Sequence, residues 1–283
     1  MEINNVIQSN EEKIFIKYLI NNSTFPNEIK FKMNKYNVKI IYLNIIVIYY
    51  ILCFMYKNEN KNQMNTKNNN SFIYNHSEMH SFYDSLLIKY KRTNITWPLP
   101  NEIKFKPLMS NYELKEFCYL MNPKNVYFEF GSGGSTNIAS YYKVKTYSVE
   151  SDIKWHEKLK TNGITAIYIT IDLNVSSSGY PGNNTNINDW KKYIQSYKKE
   201  YNADIILIDG RFRVACALDI FSKIRNDTII IIHDYGYRNQ YHIIEKFYIK
   251  IKEWDSLAVF VKNPNIISIP LHLYNYYINE KLI

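Results

Sequence analysis

The chain has 283 residues, of which 46% are hydrophobic and 22% charged, and this balance excludes a wholly disordered, collagen-like or polytopic membrane protein. Its net charge of +9 arises mainly in residues 1–110, with 14 Lys and Arg against 8 Asp and Glu, whereas residues 111–283 hold 21 against 18, so no nucleic-acid partner is expected. Three scattered cysteines are too few for a disulfide scaffold or a zinc cage.

The first predicted element is an uncharged apolar run at residues 40–56, which follows a basic segment at residues 1–39. As a helix this run would be roughly 26 Å long, close to the minimum that spans a bilayer. We expect a single-pass membrane anchor, in the endoplasmic reticulum or Golgi rather than the plasma membrane. A buried core helix or a pair of strands is the alternative interpretation.

Residues 57–75 are rich in Asn and Lys, and this composition predicts a disordered, low-complexity stalk. Residues 76–110 form a lead-in segment to the domain that follows. The heptapeptide PNEIKFK occurs at residues 26–32 and again at 100–106, which indicates a local duplication with no assigned function.

Residues 111–283 alternate between short apolar runs and helical patterns, which predicts an α/β domain. Near-continuous Ile and Val runs are typical of parallel strands that are buried on both faces. The predicted strands are residues 125–130, 144–149, 166–171, 203–208 and 228–232. An apolar stripe at 243–251 predicts a helix, and residues 257–261 and 266–271 predict an antiparallel closing pair. The expected fold is a doubly wound, mostly parallel seven-stranded sheet.

A glycine-rich turn, Gly131-Ser132-Gly133-Gly134, separates the first predicted strand from a helix that begins near Ser135. Glycines there let the backbone approach a ligand, and a helix N-terminus directs N–H groups toward it. Carboxylates are expected at the same edge of the sheet: Glu129 before the turn, Glu150 after the second strand and Asp172 after the third. Open α/β sheets bind ligands at this edge, where an acid such as Glu150 can accept hydrogen bonds from ribose hydroxyls.

Three stretches resemble the class I S-adenosylmethionine-dependent methyltransferases, which have a Rossmann-like fold. They are VYFEFGSGGST at 126–136, YSVE at 147–150 and IILIDGRFR at 205–213. The resemblance implies S-adenosylmethionine as the cofactor and assigns the ribose to Glu150 and the adenine side to Asp172. The methionine portion would be held by Glu129, Gly131, Ser132, Gly133, Gly134 and Ser135. A nicotinamide-dependent oxidoreductase is the alternative, although Thr136 breaks the G-x-G-x-x-G spacing.

The candidate catalytic residues follow the fourth and fifth strands: Asp209, His233 and Asp234. Asp209 and Asp234 could hold a divalent metal such as Mg²⁺, with His233 as a further ligand, and the metal would activate an acceptor hydroxyl. Alternatively, His233 alone is the general base. Acids at these two places recur in metal-assisted O-methyltransferases, but Tyr235 stands here in place of an Asn.

Arg211, Arg213 and Tyr235 are the candidate residues for binding the acceptor, because guanidinium groups match anionic groups. The alternative is that these arginines, or Arg238, pair with Asp209 and Asp234. A loop at residues 176–182 is a candidate lid.

The sequence thus predicts an S-adenosylmethionine-dependent methyltransferase that O-methylates a hydroxyl or carboxyl group of a small molecule or glycan. A catalytically inactive methyltransferase-like interaction domain is the second possibility.

Overall fold

The computed structural model describes residues 76–176, 179–183 and 185–280. Seven strands form its sheet: β1 (Val126–Phe130), β2 (Lys145–Glu150), β3 (Ile167–Thr170), β4 (Ile205–Ile208), β5 (Ile229–Ile232), β6 (Tyr248–Trp254) and β7 (Leu257–Lys262). The α-helices are α1 (His76–Tyr90), α2 (Asn111–Leu120), α3 (Gly134–Tyr141), α4 (Ile153–Thr161), α5 (Ile187–Ile194), α6 (Arg213–Ile220) and α7 (Leu271–Ile278). Two 3₁₀ segments, Lys199–Tyr201 and Asn239–Lys246, complete the regular structure of the described residues.

The strand order is β3-β2-β1-β4-β5-β7-β6, with the first five strands parallel and β7 antiparallel to both of its neighbours. Strands β1 and β4 are neighbours in the sheet but not in the sequence. From β1 the chain proceeds to one edge of the sheet through β2 and β3, and from β4 it proceeds to the other edge. A crevice forms at such a switch point, outside the carboxyl ends of the strands, and this is where doubly wound sheets bind ligands.

Alternate residues of the central strands supply two separate apolar cores, one on each face of the sheet. Phe128 and Ile206 point into the first core, which α5, α6 and α7 cover, whereas Tyr127 and Ile205 point into the second. Burial of both faces explains why β4 and β5 are apolar along their whole length. Lead-in residues Leu86, Leu87, Tyr90, Leu99 and Ile103 belong to the second core, together with residues of α2 and α3.

The predicted α/β sheet with seven strands and a doubly wound parallel part is confirmed, but the closing pair is wrong. Residues 248–251, predicted as part of a helix, lie instead in β6, and β6 pairs with β7 through a tight turn at Asp255 and Ser256. Residues 266–271 lie mostly outside regular structure. An irregularity between Lys250 and Lys252 interrupts the register, and it also breaks the period-two alternation by which a strand is recognised.

No helix in the described ranges is long and apolar enough to cross a membrane. The predicted anchor at residues 40–56 lies outside the described residues, as do the predicted N-terminal segment 1–39 and stalk 57–75.

Candidate functional site

A cleft of about 600 Å³ opens at the carboxyl ends of β1, β2, β4 and β5. This volume lies within the range of pockets that hold small ligands and cofactors. Its walls come from the glycine-rich turn, the end of β2, the loops after β4 and β5, and the lead-in residues Lys106, Pro107 and Leu108. Most residues predicted from the sequence therefore meet in one place.

The three glycines of the turn have different structural roles. Gly131 has a φ of +95°, and a Cβ on it would lie 2.9 Å from the Cα of Gly210. A Cβ on Gly134 would overlap the backbone nitrogen of Pro107. At Gly133, by contrast, no described atom lies within 4 Å of the Cβ position. Gly131 and Gly134 therefore permit close packing of the chain, whereas Gly133 leaves space open on the cleft.

Three of the four N–H groups of the turn are already used within the chain. Gly131 donates to the Val149 carbonyl at 2.9 Å, Ser132 to Glu150 Oε2 at 3.0 Å and Gly133 to Thr136 Oγ1 at 2.7 Å. These bonds fix the shape of the turn without a ligand.

Glu129 lies beneath the turn and does not line the cleft. Its buried carboxylate accepts hydrogen bonds from four hydroxyl groups, those of Tyr127, Ser135, Thr136 and Ser148. Burial raises its pKa, and the four hydroxyls oppose that rise. The predicted contact between Glu129 and the methionine portion of a cofactor is therefore corrected: this carboxylate supports the turn from below. Ser135, which donates to it, also lines the cleft as predicted.

Glu150 ends β2 on the wall of the cleft, as the sequence predicts. Oε1 accepts hydrogen bonds from the N–H groups of Ser151 at 2.7 Å and Asp152 at 2.8 Å. Burial raises the pKa of Glu150 to about 7, although these N–H groups lower it. Trp155, which the sequence reasoning missed, lines the same wall and donates its indole N–H to the Ser132 carbonyl at 2.9 Å.

Asp172 lies away from the cleft. Its side chain is exposed and accepts a hydrogen bond from the N–H of Asn174 at 2.8 Å. Strand β3 ends at Thr170, so Asp172 falls in the following loop and closes a local turn. The predicted role on the adenine side is therefore not supported by its position.

His233 and Asp209 meet on the far side of the cleft. His233 Nδ1 lies 2.9 Å from Asp209 Oδ1, and the imidazole is buried. A carboxylate only accepts hydrogen bonds, so Nδ1 carries a hydrogen and Nε2 is the basic nitrogen of the neutral ring. Burial acts to lower the pKa of His233, but the hydrogen bond and charge of Asp209 outweigh it, and the pKa is raised.

Arg213, the first residue of α6, holds this end of the cleft together. Its guanidinium lies 3.2 Å from Asp209 Oδ1 and 3.2 Å from Asp234 Oδ2, and it donates to the His233 and Gly210 carbonyls. Arg213 is thus engaged by the protein itself, which corrects its predicted role in binding the acceptor. The pKa of Asp234 is lowered: burial raises it, but the charges of Arg213, His233 and Arg238 prevail.

The predicted metal site does not fit this arrangement. A guanidinium already lies between Asp209 and Asp234, and Arg238 approaches Asp234 Oδ2 at 3.0 Å. Within the described ranges, no group of three or more His, Cys, Asp or Glu side chains is placed to hold a metal ion. The ion pairing considered as the alternative is the observed arrangement for Arg213 and Arg238.

Of the other two residues predicted to bind the acceptor, Arg211 lies at the cleft and Tyr235 lies in the core. Arg211 lines the cleft, and its guanidinium stacks 3.9 Å from the ring centre of Tyr180 in the predicted lid loop. Tyr235 is fully buried and donates its hydroxyl hydrogen to Glu245 at 3.0 Å, so it does not contact the cleft. The left-handed backbone of Asp234, with a φ of +56°, turns the chain between the cleft and the core.

No protein-family model matches the chain, and no curated protein matches it. Several solved structures do match the chain. A methyltransferase-like protein from Silicibacter pomeroyi is 25% identical, with 63% of this chain and 99% of that chain covered and a TM-score of 0.54.

Two further structures align with lower scores. The MycE methyltransferase of the mycinamycin biosynthetic pathway, in complex with Mg, SAH and mycinamycin VI, is 16% identical, with 62% of this chain and 51% of that chain covered and a TM-score of 0.35. A TehB-like SAM-dependent methyltransferase from Corynebacterium glutamicum is 15% identical, with coverages of 66% and 98% and a TM-score of 0.35.

The likeness to the Silicibacter pomeroyi protein supports methyltransferase activity. It agrees with the strand order, the glycine-rich turn after β1 and the acid at the end of β2. The chain therefore has the fold of the class I S-adenosylmethionine-dependent methyltransferases.

Proposed function

We propose that the cleft binds S-adenosylmethionine and transfers its methyl group to a hydroxyl of a small molecule or glycan. The observation that carries this proposal is the His233–Asp209 pair, which lines the same cleft as the glycine-rich turn. A buried, oriented imidazole beside a ligand cleft is the arrangement that general-base catalysis requires.

The residues on the other side of the cleft fit the cofactor. Gly133 leaves open space at the turn, Glu150 ends β2 and Trp155 adds an aromatic wall. The amino-acid end of the cofactor would lie at Gly133 and the ribose at Glu150. The buried hydroxyl of Tyr193, which has no hydrogen-bond partner of good geometry in the described part of the chain, also indicates that a polar ligand completes the site.

The bound cofactor supplies a methyl group on a positively charged sulfur, and the C–S electron pair stays on that sulfur when the acceptor oxygen forms its bond to carbon. The protein aligns the acceptor and removes its proton. His233 Nε2 takes that proton, while Asp209 holds Nδ1 and stabilises the resulting imidazolium. Arg213 keeps Asp209 in place from the opposite side.

The presence of a base favours a hydroxyl acceptor over a carboxyl acceptor, because a carboxylate has no proton to lose at neutral pH. Asp209 and Asp234 are both partly exposed at this end of the cleft, and their oxygens suit an acceptor that offers several O–H donors. A polar, hydroxyl-rich small molecule or glycan meets this description.

The proposal is tested by incubating the full-length protein with methyl-labelled S-adenosylmethionine and fractionated polar metabolites and glycans. We expect label in an alkali-stable ether product, and we expect His233→Asn to abolish its formation while S-adenosylhomocysteine still binds. Full activity of both His233→Asn and Asp209→Asn would reject the assigned base.

A further inference from the structure

Tyr193 on α5 is a buried polar side chain that the mechanism above does not use. It lines the cleft, and its hydroxyl lies so close to Gly210 that a Cβ on that glycine would overlap it. Its hydroxyl has no hydrogen-bond partner of good geometry among the described residues. The backbone of Arg211 is a hydrogen-bonding neighbour of the phenol oxygen, but the hydroxyl hydrogen has no acceptor of good geometry, so the position indicates an acceptor that arrives with a ligand.

The chemistry of that partner follows from the state of the phenol. Burial raises the pKa of Tyr193 well above its ordinary value, so the hydroxyl keeps its hydrogen and can donate it. A neutral donor in a buried place suits an oxygen acceptor, and a carboxylate makes the strongest such bond.

The location points to the cofactor rather than the methyl acceptor. Gly210, which touches the phenol, packs against Gly131, the first glycine of the turn. The N–H groups of Gly131, Ser132 and Gly133 are all bonded within the chain. Because these three N–H groups are not free, the phenol of Tyr193 on α5 is an additional donor for a carboxylate that arrives at this turn.

We infer that Tyr193 is a cofactor-binding residue whose hydroxyl donates a hydrogen bond to the carboxylate at the amino-acid end of S-adenosylmethionine. The inference rests on the proposed function. Gly210 belongs to the same arrangement, because any side chain there would displace the phenol from the floor of the cleft.

The test compares two ligands by calorimetric titration into the full-length protein. S-adenosylhomocysteine carries the amino-acid carboxylate, whereas 5′-methylthioadenosine lacks it. The variants are Tyr193→Phe and, as a matched control, Tyr142→Phe. The Tyr142 hydroxyl is likewise buried without a hydrogen-bond partner of good geometry among the described residues, but Tyr142 does not line the cleft.

We expect Tyr193→Phe to weaken S-adenosylhomocysteine binding by about tenfold or more, the loss expected for a hydrogen bond to a charged group. The affinity for 5′-methylthioadenosine should stay within about twofold. Tyr142→Phe should change neither affinity. Without ligand, Tyr193→Phe should melt at or above the wild-type temperature, because the substitution removes an unpaired buried hydroxyl.

Wild-type affinity of Tyr193→Phe for S-adenosylhomocysteine would overturn the inference, and so would an equal loss for both ligands. Failure of the proposed function has a different signature, since the wild-type protein would then bind neither ligand.

Discussion

His233 Nδ1 lies 2.9 Å from Asp209 Oδ1, although 24 residues separate the two along the chain. They meet because β4 and β5 are parallel neighbours, and each residue directly follows the end of its strand. The contact fixes the imidazole with Nε2 as the free base. Arg213 reinforces the contact by pairing with Asp209 and bonding the His233 carbonyl.

This pair predicts the pH dependence of methyl transfer. His233 must be neutral to accept a proton, and its pKa is raised above the ordinary 6.5 because Asp209 outweighs the effect of burial. The rate should therefore fall as the pH drops through that raised value. Asp209→Asn removes the charge that raises the pKa, so the residual activity should show its acid limb at lower pH. Initial rates of both proteins between pH 5 and 9 measure this shift. If the acid limb of Asp209→Asn lies at the same pH as that of the wild type, the assignment of His233 as the base is contradicted.

Substitution of two neighbouring glycines of the turn should have different effects, on ligand affinity in one case and on stability in the other. Gly133→Ala should fold with wild-type stability, because its Cβ meets no described atom within 4 Å, but it should lose affinity for S-adenosylhomocysteine by filling the cleft. Gly134→Ala should lose roughly 1–3 kcal/mol of unfolding free energy, the usual cost of overpacking, because its Cβ overlaps the backbone at Pro107.

Denaturant unfolding and calorimetric titration of the two glycine variants separate these effects. Equal stability of both variants would show that the lead-in segment does not pack tightly against the start of α3.

Glu150 predicts a specific pH dependence of stability in the unliganded protein. Its pKa is raised from 4.5 to about 7 by burial, so the folded state binds the proton more tightly than the unfolded state. Its contribution to stability is therefore present at low pH and is lost as the pH rises from about 4.5 to 7. The difference between wild type and Glu150→Gln isolates this contribution, of the order of 3 kcal/mol at most.

The same carboxyl group should make cofactor binding depend on pH. Ribose hydroxyls donate hydrogen bonds, so they favour the ionised form of Glu150, and S-adenosylhomocysteine affinity should rise as the pH passes 7. Glu150→Gln should bind more weakly and lose this dependence. If the variant keeps the wild-type affinity and pH profile, the ribose does not lie at Glu150.

A further prediction concerns metal ions. Since Arg213 lies between Asp209 and Asp234, we expect methyl transfer to be unaffected by EDTA and unchanged by added Mg²⁺. Loss of activity in chelator, with recovery on adding Mg²⁺, would show that the two carboxylates exchange the guanidinium for a metal.

Much of the framework was predictable from local sequence. Ile-rich runs identify β4 and β5, because parallel strands at the centre of the sheet are buried on both faces. Spacing alone brings Glu150, Asp209 and His233 to one edge of the sheet. The bulged strand β6 was missed because its alternation is interrupted near Lys250.

The remaining errors concern side-chain partners, which local patterns do not encode. Glu129 and Arg213 are residue types that often bind ligands, but in this protein their charged groups already bond to other residues of the chain. Tyr193 follows Trp190 by three residues in α5, and in such a spacing a ligand-binding tyrosine cannot be distinguished from a core tyrosine. Pro107 lines the cleft from a lead-in segment that has no periodic pattern.

The most direct test of the central claim is calorimetric titration of S-adenosylhomocysteine into the full-length protein, with NADH titrated in parallel. We predict saturable binding of S-adenosylhomocysteine with one site per chain, weakened by Glu150→Ala, and no binding of NADH. Absence of S-adenosylhomocysteine binding by folded protein, or binding of NADH in its place, would contradict the assignment of this cleft to S-adenosylmethionine.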